Sequence, residues 1–173
     1  MKTFYLKTTG LICLVWLTCT PTFLSAQRVR TIDNLFSTYE QTKGVTYVNL
    51  SPKLLLMMKD SNSTELDEVF ASIGSLRIIS LSVASNEQKS LADKIRTDAL
   101  HVVKEQAFEE IMKVRNEGSE LLVYLSKKST NAQQPQALLM ISNGVSEFVL
   151  IGITGKISGE VISAIMDGKI GIL

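Results

Sequence analysis

Three residue types that carry chemistry are scarce in this chain of 173 residues: two cysteines, one histidine and one tryptophan. Both cysteines (Cys13 and Cys19) and Trp16 fall within the first 19 residues. Beyond them the chain has no thiol for catalysis, no disulfide to hold a small fold, and no Cys ligand for a zinc site, which needs three or four protein donors. His101 stands alone. A hydrolytic triad needs a histidine beside an activated serine, and no G-x-S-x-G run is present. Aromatic residues make up 6% of the chain, too few for the stacking platforms of a sugar cleft. Charge of one sign is missing too: 18 basic residues stand against 17 acidic ones, so no basic surplus draws the chain to nucleic acid.

The first 26 residues read as a secretory leader. Lys2 and Lys7 give a positive start, residues 11–17 a short apolar core, and Pro21 a break before Ala26. That core is too short to span a bilayer, which takes about 20 residues. The expected cut lies between Ala26 and Gln27, with Leu24 a departure from the usual small residue. Neither Cys13 nor Cys19 follows the small residue that lipid attachment favours, so the chain is expected to be exported without an anchor, with no transmembrane segment after the leader. Removing 26 of 173 residues leaves 147, the size of one domain burying roughly 68–70% of its unfolded surface.

Apolar spacing organises the remainder. Ile32, Leu35, Phe36 and Tyr39 share a helical face within residues 31–44, and residues 45–51 read as a strand. Pro52 opens a second helix over 52–60, and a short capped helix with Glu65, Asp67 and Glu68 precedes a strand at 75–82. Residues 85–118 are helical in composition throughout. Their apolar line shifts from Leu91–Ile95–Ala99–Val102 to Val103–Ala107–Ile111–Val114, which predicts a break between Val102 and Gln106 and a second helix closed by Lys113, Arg115 and Gly118. Strands follow at 119–128, 136–142 and 146–154, the last two turned at Asn143-Gly144, then a helix over 158–168. This order predicts a single α+β domain: a mixed sheet of about five strands ending in a three-stranded antiparallel meander, with helices packed on it. Parallel pairing is expected between the first two strands, which are joined through helices. A helix-glycine-strand echo links residues 36–51 with 108–126, and a shared need for glycine at such junctions explains it.

The stretch LIGITGKISGE (150–160) imitates a phosphate loop without being one. Leu150 occupies the place of the first glycine, and Ile157 replaces the Ser or Thr that would hold magnesium. Gly152 and Gly155 are read instead as a bend in the sheet and a turn into the last helix. Glu65, Asp67, Glu68, Glu109 and Glu110 fit helix starts or solvated faces. Leu54–Met58 is read as a helix buried in the core, with an adaptable partner groove as the alternative. Asn62-Ser63-Thr64 matches the glycosylation pattern, which matters only in a eukaryotic secretory pathway. No catalytic, cofactor-binding or metal-ligating residue is assigned.

Residues 36–58, 108–128 and 138–158 resemble an uncharacterised group of exported proteins from Bacteroidetes-type bacteria, domain-of-unknown-function family 4252. The likeness runs from about Leu35 to Ile165 and is sharpest in Glu110–Gly118 and Asn143–Ile151. It implies a bacterial envelope protein, hints at envelope sensing beside sigma-factor regulators, and brings no catalytic motif. The expected function is a non-enzymatic module that binds an envelope protein. The alternatives are a small-ligand or lipid carrier and a carboxylate-dependent hydrolase.

Overall fold

A computed structural model describes residues 31–57, 70–127 and 136–166. Helix α1 (Ile32–Tyr39) starts at Thr31, whose hydroxyl accepts the Asn34 N–H at 3.1 Å. Its buried face is Ile32, Leu35, Phe36 and Tyr39, as the spacing predicts. Strand β1 (Thr46–Leu50) leads directly into helix α2 (Pro52–Met57), where proline takes the first helical position. Of the helix predicted over 65–74, residues 65–69 lie outside the described residues, as do the Asn62–Thr64 pattern and the leader; residues 70–72 are helical, and Ile73-Gly74 already belong to the next strand.

Strand β2 (Ile73–Ser82) is followed by helix α3 (Asn86–Glu105). Ser85 and Gln88 form a reciprocal capping box at the start of α3: Ser85 Oγ accepts the Gln88 N–H at 3.2 Å, and Gln88 Oε1 accepts the Ser85 N–H at 3.1 Å. The helix stops where the apolar line shifts, but a strand succeeds it. Residues 108–118 correct the expected second helix: β3 (Phe108–Asn116) turns at Glu117-Gly118 into β4 (Ser119–Ser126). Glu117 (φ 39°) and Gly118 (φ 88°) are both left-handed, the backbone of a tight hairpin turn, so Gly118 caps no helix. The disguise has two physical sources. β3 is an edge strand and carries the Glu, Lys and Arg that guard an edge, which are also good helix formers. The ladder also slips between Glu110 and Met112, and the extra residue, Ile111, breaks the alternation that would mark a strand. With a hairpin at 108–126, the apparent echo of residues 36–51 has no structural counterpart.

Strands β5 (Gln136–Asn143) and β6 (Glu147–Gly155) and helix α4 (Gly159–Met166) complete the order. Six strands form one sheet, in the order β1-β2-β6-β5-β4-β3, and every neighbouring pair is antiparallel. The α+β single domain and the antiparallel meander at its end stand as expected. The strand count rises from about five to six because of β3, and the parallel pairing of β1 with β2 is corrected. The chain enters β2 at the end where β1 leaves, since Leu50 faces Leu76 and Thr46 faces Ser80. β2 therefore starts at the end of the sheet where β1 finishes, which makes the pair antiparallel. The crossover is made by α3, whose 20 residues reach about 30 Å and carry the chain from β2 to the far edge at β3.

Two apolar layers result. On one face α1 and α3 press Phe36, Ile95, Ala99 and Val102 onto Ile79, Leu139, Phe148 and Leu150. On the other, α2 and α4 contribute Leu55 and Val161 over Leu76, Met140, Ile151 and Ile153. No polar or charged residue is buried among those described.

Candidate functional site

The phosphate-loop imitation resolves into packing. Gly152 lies in mid-strand, opposite Arg77 and Leu139, and Phe36 of α1 rests on it. A Cβ there would stand 2.4 Å from Phe36 Cε2 and 2.8 Å from Cζ. Gly155 has φ 150°, and a Cβ on it would meet the Ser72 carbonyl oxygen at 2.2 Å. The Lys156 N–H donates to that same oxygen at 2.8 Å. Gly152 makes room for the Phe36 ring and Gly155 for the backbone of residues 72–74, and the amide of Lys156 is already spent on the protein.

The other residues singled out by type do not assemble. Glu109 and Glu110 are successive in β3 and point to opposite faces. Lys127 Nζ lies 3.5 Å from Glu109, and Tyr124 Oη donates to Glu110 at 3.3 Å. Burial, then the charge of Glu110, raises the Tyr124 phenol above its ordinary pKa. Glu65, Asp67 and Glu68 lie outside the described residues. His101 sits on α3 with Nε2 3.9 Å from Glu105, a pair one helical turn apart that needs a protonated imidazole to attract. No group of three or more potential metal ligands occurs among the described residues.

Sequence reasoning missed a charged cluster at the outer end of the β3–β4 hairpin. Glu120 of β4 accepts from Arg96 of α3 (Nη2–Oε2, 2.5 Å) and from Arg115 of β3 (Nε–Oε1, 2.7 Å), with Lys113 Nζ 3.8 Å away. The hydrogen bond from Arg115, opposed by burial and supported by Arg96, holds the Glu120 carboxyl below its ordinary pKa. Three cations thus share one carboxylate, and the cluster pins α3 to the hairpin. Lys113 and Arg115, expected to close a helix, do this only because β3 is a strand whose alternation turns both toward α3. On the same side of the sheet, Tyr39 Oη donates to Asp98 at 2.5 Å and ties α1 to α3. Desolvation and that bond raise the Tyr39 phenol well above its ordinary value.

A cleft of about 620 Å³ opens between the start of α3 and the two hairpin tips, beside Ser85, Lys89, Asp93, Gly118 and Gly144. Its volume falls within the usual range for ligand sites. However, the capping box already engages the amides of Ala84, Ser85 and Gln88.

The larger feature is the sheet face under α2 and α4. Cross-strand register sets Val48, Ile78, Ile151, Met140, Val123 and Met112 in one row across all six strands. Exposure grows outward along it: Ile151, Met140 and Val123 are buried, Ile78 and Met112 half-buried, and Val48 is 37% exposed. In the next row Val149 and Leu121 are half-buried and Val114 is 47% exposed. The core reading of Leu54–Met58 needs correction on this face. Leu55 is buried, but Leu54 is 43% and Met57 73% exposed, because a six-residue helix on a sheet can bury only one side. Met58 is outside the described residues. Among the described residues no helix is long and apolar enough to cross a membrane.

No curated protein and no solved structure matches this chain. One family model does, Domain of unknown function (DUF4252), over residues 39–165, well over half of the chain. The match takes in the sheet, α2, α3 and most of α4, and on it the chain belongs to the DUF4252 family.

Proposed function

We propose that this chain is an exported, non-enzymatic envelope protein whose α2–α4 sheet face docks another protein. One observation carries the reading: apolar side chains on that face run beyond the cover of the two helices, leaving Ile78, Val149, Leu121 and Met112 half-buried and Val114 exposed. A contiguous apolar surface on a sheet, over which the described helices do not close, is what a protein partner uses for burial. Export rests on the basic start, short apolar core and Ala26-Gln27 junction of the leader.

The test places a photo-crosslinking residue at Val114 or Leu121, and in controls at Ser37 or Lys94, exposed positions of α1 and α3 on the opposite face. The docking reading expects one dominant envelope protein captured from both sheet positions and not from the helix positions. Equal capture from both faces, or capture from neither, would refute it. A second reading, a small-ligand carrier, draws on the 620 Å³ cleft at the α3 start. It expects a molecule to remain bound through native mass spectrometry and to be lost from Gly144→Trp, which fills that cleft.

A further inference from the structure

The sheet has two edges, β1 and β3, and they are built differently. β3 carries Glu109, Glu110, Lys113 and Arg115 and a bulge at Ile111, two devices that keep a further strand from adding. β1 has neither. Its five residues, Thr46-Tyr47-Val48-Asn49-Leu50, include no charge and no proline, and its ladder to β2 runs without a register shift. Exposed apolar side chains are concentrated in this stretch of the chain. Of the six large hydrophobic residues exposed among those described, Val48, Leu54 and Met57 come from β1 and the helix that directly follows it. Among the described residues no strand pairs with the outer side of β1; an uncharged, regular edge of this kind offers backbone N–H and C=O groups, and the partner chemistry it fits is another extended strand.

We propose that β1 pairs antiparallel with β1 of a second copy of this chain, joining two sheets into one. A two-fold axis at Val48 sets Val48 against Val48, Tyr47 against Asn49 and Thr46 against Leu50. No like charges meet, because the strand has none, and the row Thr46, Val48, Leu50, apolar at Val48 and Leu50, continues across the junction on the α2–α4 face. The contrast between the edges also fixes the stoichiometry. A β1–β3 contact between copies would be head-to-tail and would propagate, and the charges and bulge of β3 oppose it. A β1–β1 contact uses the same patch twice and closes at two copies. The pairing does not depend on a partner docking on the sheet face.

The absence of cysteine after residue 19 makes the axis directly testable. In the full chain carrying Cys13→Ser and Cys19→Ser, Val48→Cys introduces a single thiol. Two such residues opposed across an antiparallel ladder have Cα atoms about 4.5–5.5 Å apart, within the reach of a disulfide. Thr46→Cys, two residues along, would put its copies more than about 10 Å apart, out of reach. Under mild oxidant we expect at least about tenfold more disulfide-linked dimer from Val48→Cys than from Thr46→Cys. Light scattering should give a dimer for the unsubstituted chain and a monomer for Val48→Lys. Equal crosslinking at positions 46 and 48, a chain that is monomeric and fails to crosslink, or a dimer that survives Val48→Lys would each overturn the proposal. Capture of a different protein by the position-48 thiol with no disulfide-linked dimer beside it would also overturn the pairing and assign the edge to another chain's strand; capture beside a persisting dimer would reflect the proposed docking on the sheet face, on which Val48 also lies.

Discussion

Gly152→Ala tests the packing of α1 on the sheet with one added methyl group. The new Cβ would lie 2.4 Å from Phe36 Cε2, about 1 Å or more inside ordinary carbon–carbon contact. Phe36 is fully buried, so its ring has no solvent side to yield into. Either α1 lifts from β6 or Phe36 leaves its preferred rotamer. Overpacking of this kind costs about 1–3 kcal/mol, and a clash this deep belongs at the upper end. Replacing a strand glycine returns up to about 1 kcal/mol of backbone entropy. The net expectation is about 2–3 kcal/mol, or roughly 6–10 °C in Tm for a domain near 150 residues. Trp16 lies outside the described residues, so guanidinium unfolding is followed by circular dichroism instead of indole emission. The decisive comparison is a cycle with Phe36→Leu, which alone should cost about 1–2 kcal/mol for the lost ring. The smaller side chain vacates the space the methyl needs, so the double variant should cost at least about 1 kcal/mol less than the two single costs added together. If Gly152→Ala unfolds within about 0.5 kcal/mol of the parent chain, or if the two changes simply add, Phe36 does not rest on Gly152 and the argument fails.

Glu120→Gln removes the one carboxylate shared by Arg96, Lys113 and Arg115 and should cost about 1 kcal/mol near neutral pH, measured by chemical denaturation. Because folding lowers the Glu120 pKa, that stability is present above the unfolded carboxylate value of 4.5 and is lost as pH falls through the lower folded value. Stability curves for the Glu120→Gln variant and the parent chain should therefore converge in acid. Tyr39→Phe deletes the bond to Asp98 and should cost about 1–2 kcal/mol. The folded Tyr39 phenol is raised, so its stabilisation is complete below the unfolded value of 10.0 and fades as pH climbs toward the folded value; the Tyr39→Phe variant should show a flatter alkaline loss. N-terminal sequencing of the protein recovered from the envelope fraction should begin at Gln27, and a chain that still begins at Met1 would remove the export proposal.

What the sequence determined is local and one-sided. The Ile32–Tyr39 face, the Ser85 start of α3, the end of its apolar line near Val102, and every strand except β3 follow from spacing, because an amphipathic helix or strand writes its buried face into its own period. The phosphate-loop reading could also be dismissed from the missing glycine and the missing Ser or Thr alone. β3 was not legible, since edge charges and an extra residue at Ile111 hide its alternation, and only the hydrogen bonds of β4 hold it as a strand. The Arg96–Glu120–Arg115 cluster depended on that assignment, as its members belong to three elements that meet only when the hairpin folds against α3. The role of Gly152 likewise required knowing that Phe36, far earlier in the chain, lies across it. The tertiary structure decided which edge is guarded and which face remains uncovered, because both depend on strand order. Strand order is set by contacts between residues far apart in the chain, and no local period records them.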